Sequence, residues 1–299
     1  MEYKRFFLDN DEPYLVLVKN DMEELLSNDY LQVNIAIELD ALPLLRFYPN
    51  IKKLILLPGT VNTLDLLYLK SLSVKYLKLD YYSDVLDEYT IDLGLFPNLE
   101  FLFSKSSRNF TNISECTALK TIIIQDWLEC SLEKLSGCSA LALKLCKGDL
   151  RHLNGLKKMH SLCSLSISYQ RKLSDVSELS FCTYLESLWI EKCPKADLKT
   201  IPSVKNLRYL YYSSTKSLAD LHWLSSFPRL QYLVLDAKIE DGNLKPLAKL
   251  KHCELMTDHK HYLIKNNDLP KAERFCSLVV PQGYEVIPGG TVVGPPVQK

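Results

Sequence analysis

Along most of the chain a hydrophobic residue is followed by two positions, a second hydrophobic residue, one position and a third. The pattern appears at Ile51/Leu54/Leu56, Val74/Leu77/Leu79, Leu99/Leu102/Ser104, Leu119/Ile122/Ile124 and Ala140/Leu143/Leu145. It continues at Leu162/Leu165/Ile167, Leu185/Leu188/Ile190, Leu207/Leu210/Tyr212, Leu230/Leu233/Leu235 and Leu250/Cys253/Leu255. The starts lie 23, 25, 20, 21, 22, 23, 22, 23 and 20 residues apart, so the chain carries ten units with a mean near 22. The alternation within each triad predicts a short strand. A second apolar cluster follows about ten residues on, as in "LADLHWLSSF" and "LSDVSELSFC", and predicts a turn or a single helical turn. One such unit cannot bury two apolar edges alone, whereas stacked copies share them in a continuous column.

This arrangement resembles the leucine-rich repeat family in its short bacterial and SDS22-like form. The stretch "SLCSLSISYQRKLSDVSELSFCTYLESLWI" carries the match, and the resemblance covers roughly residues 51 to 258. It implies an α/β solenoid, a curved horseshoe with a parallel β-sheet on its concave face. The family's asparagine ladder is missing. The corresponding places hold Gly59, Tyr82, Ser107, Trp127, Gly148, Gln170, Cys193, Thr215, Lys238 and Asp258, so the turns must satisfy their backbone groups by other means and local distortion is expected.

Residues 1–50 break the period and are expected to cap the array. Within them "NDMEELLSND" reads as a short helix and "LQVNIAIELDALPLL" as an atypical first strand. Residues 259–280 are expected to close the other end, and 281–299, crowded with proline and glycine, to form a flexible tail.

Period-2 alternation sends three residues of each strand to the opposite, concave side. Of those thirty positions seven are aromatic: Tyr76, Phe101, Phe103, Trp189, Tyr209, Tyr211 and Tyr232. Four of the rings fall on three consecutive strands and define a patch of the residue types that dominate binding hot spots. Glu191, Val234 and Asp236 adjoin it, and together these ten residues are the expected partner-binding set. Mutual stacking that only steadies the sheet is the plainer explanation of the rings. Charge favours binding: Lys53, Lys78, Lys105 and Lys144 fall in the first five units of this face with only Asp80 opposing, while Glu191, Asp236 and Glu254 fall in the last four without lysine or arginine. Ser164, Ser166 and Ser168, on a strand without rings, are expected to be inert outward positions.

The 36 basic and 36 acidic residues balance, which gives no overall field for nucleic acid or an anionic membrane. No apolar run is long enough to span a bilayer, and no basic segment followed by an apolar run opens the chain. Nine cysteines, an odd number without CxxC pairs, fit reduced thiols and a cytoplasmic location. Cys116, Cys138 and Cys182 each precede a repeat start and are expected in the core; packing likewise accounts for Trp127 and Trp223. His252, Cys253, Asp258, His259 and His261 are zinc-type ligands close in sequence, but Cys253 is an inward repeat position, so a capping turn is expected there and no metal. "NFT" at Asn109 and "NIS" at Asn112 match glycosylation acceptors without a secretory context.

No Walker loop, GxSxG, HExxH or GxGxxG occurs, so neither an enzymatic activity nor a cofactor is expected. The expected function is a non-enzymatic scaffold, monomeric or homodimeric, that binds a protein partner on the concave face. A bacterial inhibitor or immunity protein, or an adaptor, fits that role by family analogy. The alternatives are the substrate-presenting module of a modifying enzyme of the effector-ligase type, for which Cys276 has no nearby histidine, and a self-associating array.

Overall fold

A computed structural model of the protein describes residues 6–9, 12–17, 34–58, 66–80, 90–197, 201, 203–271, 285–287 and 291–293. The chain divides into two compact units, residues 1–126 and 127–299, so the boundary falls inside the repeat array and not at its ends.

In the first unit, β1 (Phe6–Asp9) and β2 (Glu12–Leu17) form an antiparallel pair that the repeat pattern did not anticipate. β2 then runs parallel to β3 (Asn34–Glu38), the atypical strand expected ahead of the repeats. β4 (Lys53–Leu57) and β5 (Tyr76–Leu79) continue the parallel order. β6 (Ile91–Asp92) leaves it to pair in parallel with β8 (Phe110–Thr111), while β7 (Phe101–Ser106) and β9 (Thr121–Trp127) extend the main sheet. The register aligns Leu54, Leu77, Leu102 and Ile122, all fully buried. Ser104 occupies an apolar place in the neighbouring column, and its hydroxyl is satisfied by donating to the Ser106 carbonyl at 2.7 Å. The expected capping helix lies outside the described residues.

In the second unit, β10 (Ala142–Gly148), β11 (Ser164–Ser168), β12 (Ser187–Glu191), β13 (Tyr209–Ser213), β14 (Tyr232–Asp236) and β15 (His252–Leu255) lie side by side, all parallel. Leu143, Leu165, Leu188, Leu210, Leu233 and Cys253 stand in one register row, each at most 2% exposed. The next row inserts Tyr212 among leucines and isoleucines, and its phenol donates to the Ala196 carbonyl at 3.1 Å, as a buried hydroxyl requires.

The returns between strands are 3-10 turns, and no α-helix occurs among the described residues. Each return of the second unit takes 15–18 residues, and the 3-10 turns described within them are only three to five residues long, about the length at which 3-10 geometry is tolerated. Short acidic side chains start these turns: Asp175 accepts from the Ser177 amide at 2.9 Å and Asp220 from the His222 amide at 2.8 Å. Leu218, Leu221 and Phe227 of the second apolar cluster are buried behind them.

The absent asparagines are replaced piecemeal. Gln170 Oε1 accepts from the Leu150 amide at 3.1 Å, and the Cys193 thiol lies 3.3 Å from the Glu191 carbonyl. Gly148, at φ +143°, lets the Trp127 carbonyl approach so closely that a Cβ would stand 1.7 Å from its oxygen. Tyr169 and Lys192, one residue past β11 and β12, adopt left-handed φ of 56° and 51°.

The last strand edge is covered. Cys253 donates its amide to the Pro270 carbonyl at 2.8 Å, the Leu255 amide reaches Asn266 Oδ1 at 2.9 Å, and Lys271 Nζ donates to the Cys253 carbonyl at 2.6 Å. Such pairing removes the free strand edge that would otherwise invite association. Within the segment expected as a tail, β16 (Glu285–Ile287) and β17 (Thr291–Val293) pair antiparallel, and its other residues lie outside the description.

Candidate protein-interaction face

The outward positions of the second unit form three rows across its strands. One row runs Ser164, Ser187, Tyr209, Tyr232 and His252; the second runs Ser166, Trp189, Tyr211, Val234 and Glu254; the third runs Ser168, Glu191, Ser213 and Asp236. The four rings of the expected patch are thus adjacent, and they are organised as two stacks. Trp189 and Tyr211 lie with centroids 3.5 Å apart and planes within 3°, and Tyr209 and Tyr232 lie 4.5 Å apart within 7°. Direct cross-strand neighbours at a strand spacing of about 4.8 Å bring rings into this contact without backbone adjustment. All four remain half-buried, so stacking accounts for one side of each pair and leaves part of each ring in solvent.

Two members of the expected set lack that access. Phe101 and Val234 are 5% and 4% exposed and offer almost no area to a partner, although both occupy outward register positions. Ser164, Ser166 and Ser168 are also buried, contrary to the expectation that they stand free; a small hydroxyl beside long neighbours such as Lys144 and Trp189 lies on the floor of the face. In the first unit Tyr76 stacks on Phe101 at 4.6 Å, and Lys78 lies over the Phe103 ring at 5.5 Å. Ile55 and Ile123, both outward in register, are buried, so that unit's face presents little apolar area.

The charges separate as the sequence suggests, with different pairing in each unit. In the first, Asp80 meets Lys105 at 2.6 Å and Lys78 at 3.8 Å. In the second, the carboxylates are held by neutral donors: Glu191 Oε2 accepts from the Trp189 indole at 3.2 Å and from Ser168 Oγ at 3.4 Å, and Asp236 Oδ2 accepts from Ser213 Oγ at 2.8 Å. Among the described residues Glu191, Asp236 and Glu254 join no ion pair. The Tyr211 hydroxyl registers this field: burial pushes its pKa up to about 12, with the charges of Glu191, Asp236, Tyr169 and Glu254 adding to the rise. Tyr169 and Lys192 escaped the sequence reading because they lie one residue past their strands, where alternation stops specifying direction. Lys192 Nζ lies 5.0 Å from the Tyr169 ring centroid and donates to its hydroxyl at 3.2 Å.

The zinc-type cluster near the last strand has become packing. Cys253 is fully buried in the column; the Tyr262 hydroxyl accepts from the Ile239 amide at 2.8 Å, and His261 Nε2 lies 2.8 Å from the Ile239 carbonyl. Among the described residues no three metal-ligating side chains converge.

No family model matches the chain. Acidic leucine-rich nuclear phosphoprotein 32 family member A of Drosophila melanogaster and its counterpart in Drosophila pseudoobscura pseudoobscura are each 30% identical over 121 residues, or 40% of this chain. The chain spans 44% of the length of these curated relatives. Among solved structures, an internalin (inlF) from Listeria monocytogenes is 18% identical with a TM-score of 0.46, over 68% of this chain and 66% of that one. The functional domain of InlJ from the same organism is 18% identical with a TM-score of 0.45, over 75% and 49%. The periodic triads in parallel register give the chain a leucine-rich repeat fold, and over 121 residues it is similar to proteins named for leucine-rich sequence.

Proposed function

We propose that the protein is a non-enzymatic interaction scaffold that holds a partner protein on the outward sheet face of its second unit. The observation that carries this reading is the pair of ring stacks, Trp189 on Tyr211 and Tyr209 on Tyr232, side by side and half in solvent. Stacked rings are already ordered, so a partner that covers them gains buried apolar area with little further loss of side-chain freedom. An inhibitor or immunity protein and an adaptor both act through such a face. They differ in whether the captured partner loses its activity when bound, and no helix among the described residues is long and apolar enough to cross a membrane.

The test is affinity purification from the native host with mass spectrometry, followed by titration of the captured protein against Trp189→Ala and Tyr211→Ala. Each truncation forfeits a stack worth about 0.5–1.5 kcal/mol of stability. Each is expected to cost about 2 kcal/mol or more of binding, because central aromatic residues carry most of an interface's energy. Unchanged affinity in folded variants would move the interface elsewhere. An assay of the partner's own activity with and without the scaffold then separates inhibitor from adaptor.

A further inference from the structure

The chemistry of the partner's docking element can be read from the charges around the rings. We propose that the face receives a basic segment, with an arginine or lysine head lodged between Glu191 and Asp236 beside the Tyr211 ring; this rests on the partner-binding reading above. Glu191, Ser213 and Asp236 occupy successive strands in one register row. At a strand spacing of about 4.8 Å the two carboxylates spring from backbones roughly 10 Å apart, Glu191 turned toward Ser168 and Asp236 toward Ser213, and a guanidinium or ammonium head enters the space over Ser213 between them. Only the small Ser213 stands between them, and its hydroxyl donates to Asp236 at 2.8 Å.

Both carboxylates are oriented in advance by neutral donors and have no ion-pair partner among the described residues. Glu254 adds a third charge at the end of the Trp189 row. The chain's own Lys192 gives an independent indication that this rim holds cations. It lies over the Tyr169 ring, and its pKa is raised by the hydrogen bond to the Tyr169 hydroxyl and that group's charge, with Glu191 and Asp236 contributing further. Lys192 is exposed at the edge and Lys144 stands in register two strands from Trp189, so the acidic stretch is bounded by positive charge on that side. An acidic or nucleic-acid partner would meet repulsion from the carboxylates beside the Trp189–Tyr211 stack, whereas the chain's own Arg208 already lies over the Tyr209 ring at 5.8 Å. A basic one meets attraction and a π surface together.

The experiment uses the full chain and three probes: octa-arginine, octa-glutamate and oligothymidine. Trp127 and Trp223 are 0% and 6% exposed, so quenching of intrinsic fluorescence reports chiefly on Trp189. Octa-arginine is expected to quench saturably and to weaken as salt rises. The isosteric double variant Glu191→Gln/Asp236→Asn is expected to bind it about tenfold more weakly with an unchanged thermal midpoint. Lys192→Ala, which removes the competing charge, is expected to bind it more tightly, and Glu133→Gln, an exposed carboxylate on a distant turn, to match the wild type. Absence of saturable binding, equal affinity in the double variant, or preference for octa-glutamate or oligothymidine overturns the proposal. So does a homodimer in light scattering that Trp189→Ala dissociates, since a second copy then covers the rings. If Trp189→Ala abolishes capture of a host protein while the double variant retains it, the face stands and its basic ligand does not.

Discussion

Cys182, Cys193 and Cys253 differ from Cys130 chiefly by burial, and that difference sets their reactivity. Burial pushes the thiols of Cys182 and Cys253 up to about 12 and that of Cys193 to about 11, which leaves almost no thiolate at neutral pH, whereas Cys130 is exposed. Timed alkylation of the folded protein with iodoacetamide, read by peptide mass spectrometry, is expected to modify Cys130 early and these three only after denaturation. Early labelling of Cys253 would mean that residues 266–271 do not cover the last strand. The inward role of Cys182 and Cys253 was legible, since they fall at or beside repeat positions. The hydrogen-bonding role of Cys193 was not. Cys193 and Gln170 stand where regular repeats carry asparagine, and no periodicity tells which side chain will meet a given carbonyl or amide. The same limit applies on the outward face, where alternation assigned Ser164, Ser166 and Val234 to a side of the sheet but said nothing of how deeply larger neighbours would enclose them.

At the scale of the element, a strand and its return are held by a shared column and by the closeness with which successive turns stack. Leu210 lies between Leu188 and Leu233 in the register and is 2% exposed. Leu210→Ala is expected to lower the unfolding free energy by about 2–5 kcal/mol in urea titration, through the lost transfer energy and the cavity left behind. Gly148→Ala tests the turns. Its φ of +143° belongs to a region nearly closed to other residues, at a cost of about 1–3 kcal/mol from the backbone alone, and the added methyl would overlap the Trp127 carbonyl. A loss under about 1 kcal/mol at either site would contradict the register or the turn geometry. The strands were readable because two independent signals, the period near 22 and the alternation within each triad, agree ten times. The antiparallel β1–β2 pair was not, because a single pairing outside the repeats has no second copy against which to recognise it.

For the molecule as a whole, balanced charge hides titrating groups whose shifts all weaken the fold in acid. Burial pushes Glu100 up, but its hydrogen bonds and ion pairs with Lys120 and Lys75, each at 2.6 Å, outweigh this and hold it below the usual carboxylate range. Asp149 is lowered by Lys172 at 2.6 Å, and Asp175 by the Ser177 amide. A carboxylate with a depressed folded pKa stabilises above its unfolded value, about 4, and that contribution fades as pH falls through the folded one. His252 acts at higher pH with the same sign. Burial, and then the charge of Lys271 against the partial opposition of Glu254, lower its pKa. The unfolded chain therefore binds this proton first, and stability declines once pH drops below about 6.5. Urea midpoints followed by tryptophan fluorescence should be flat between about pH 7 and 8, fall above about 8.5 as the thiols of the unfolded chain ionise ahead of the buried ones, fall in a shallow first acid step below about 6.5, and fall more steeply below about 4.5. His252→Gln is expected to remove the first step and keep the second, while Glu100→Gln should diminish only the second. A first step that survives His252→Gln would assign that proton to another group and show that the end of the Tyr209 row is open to water.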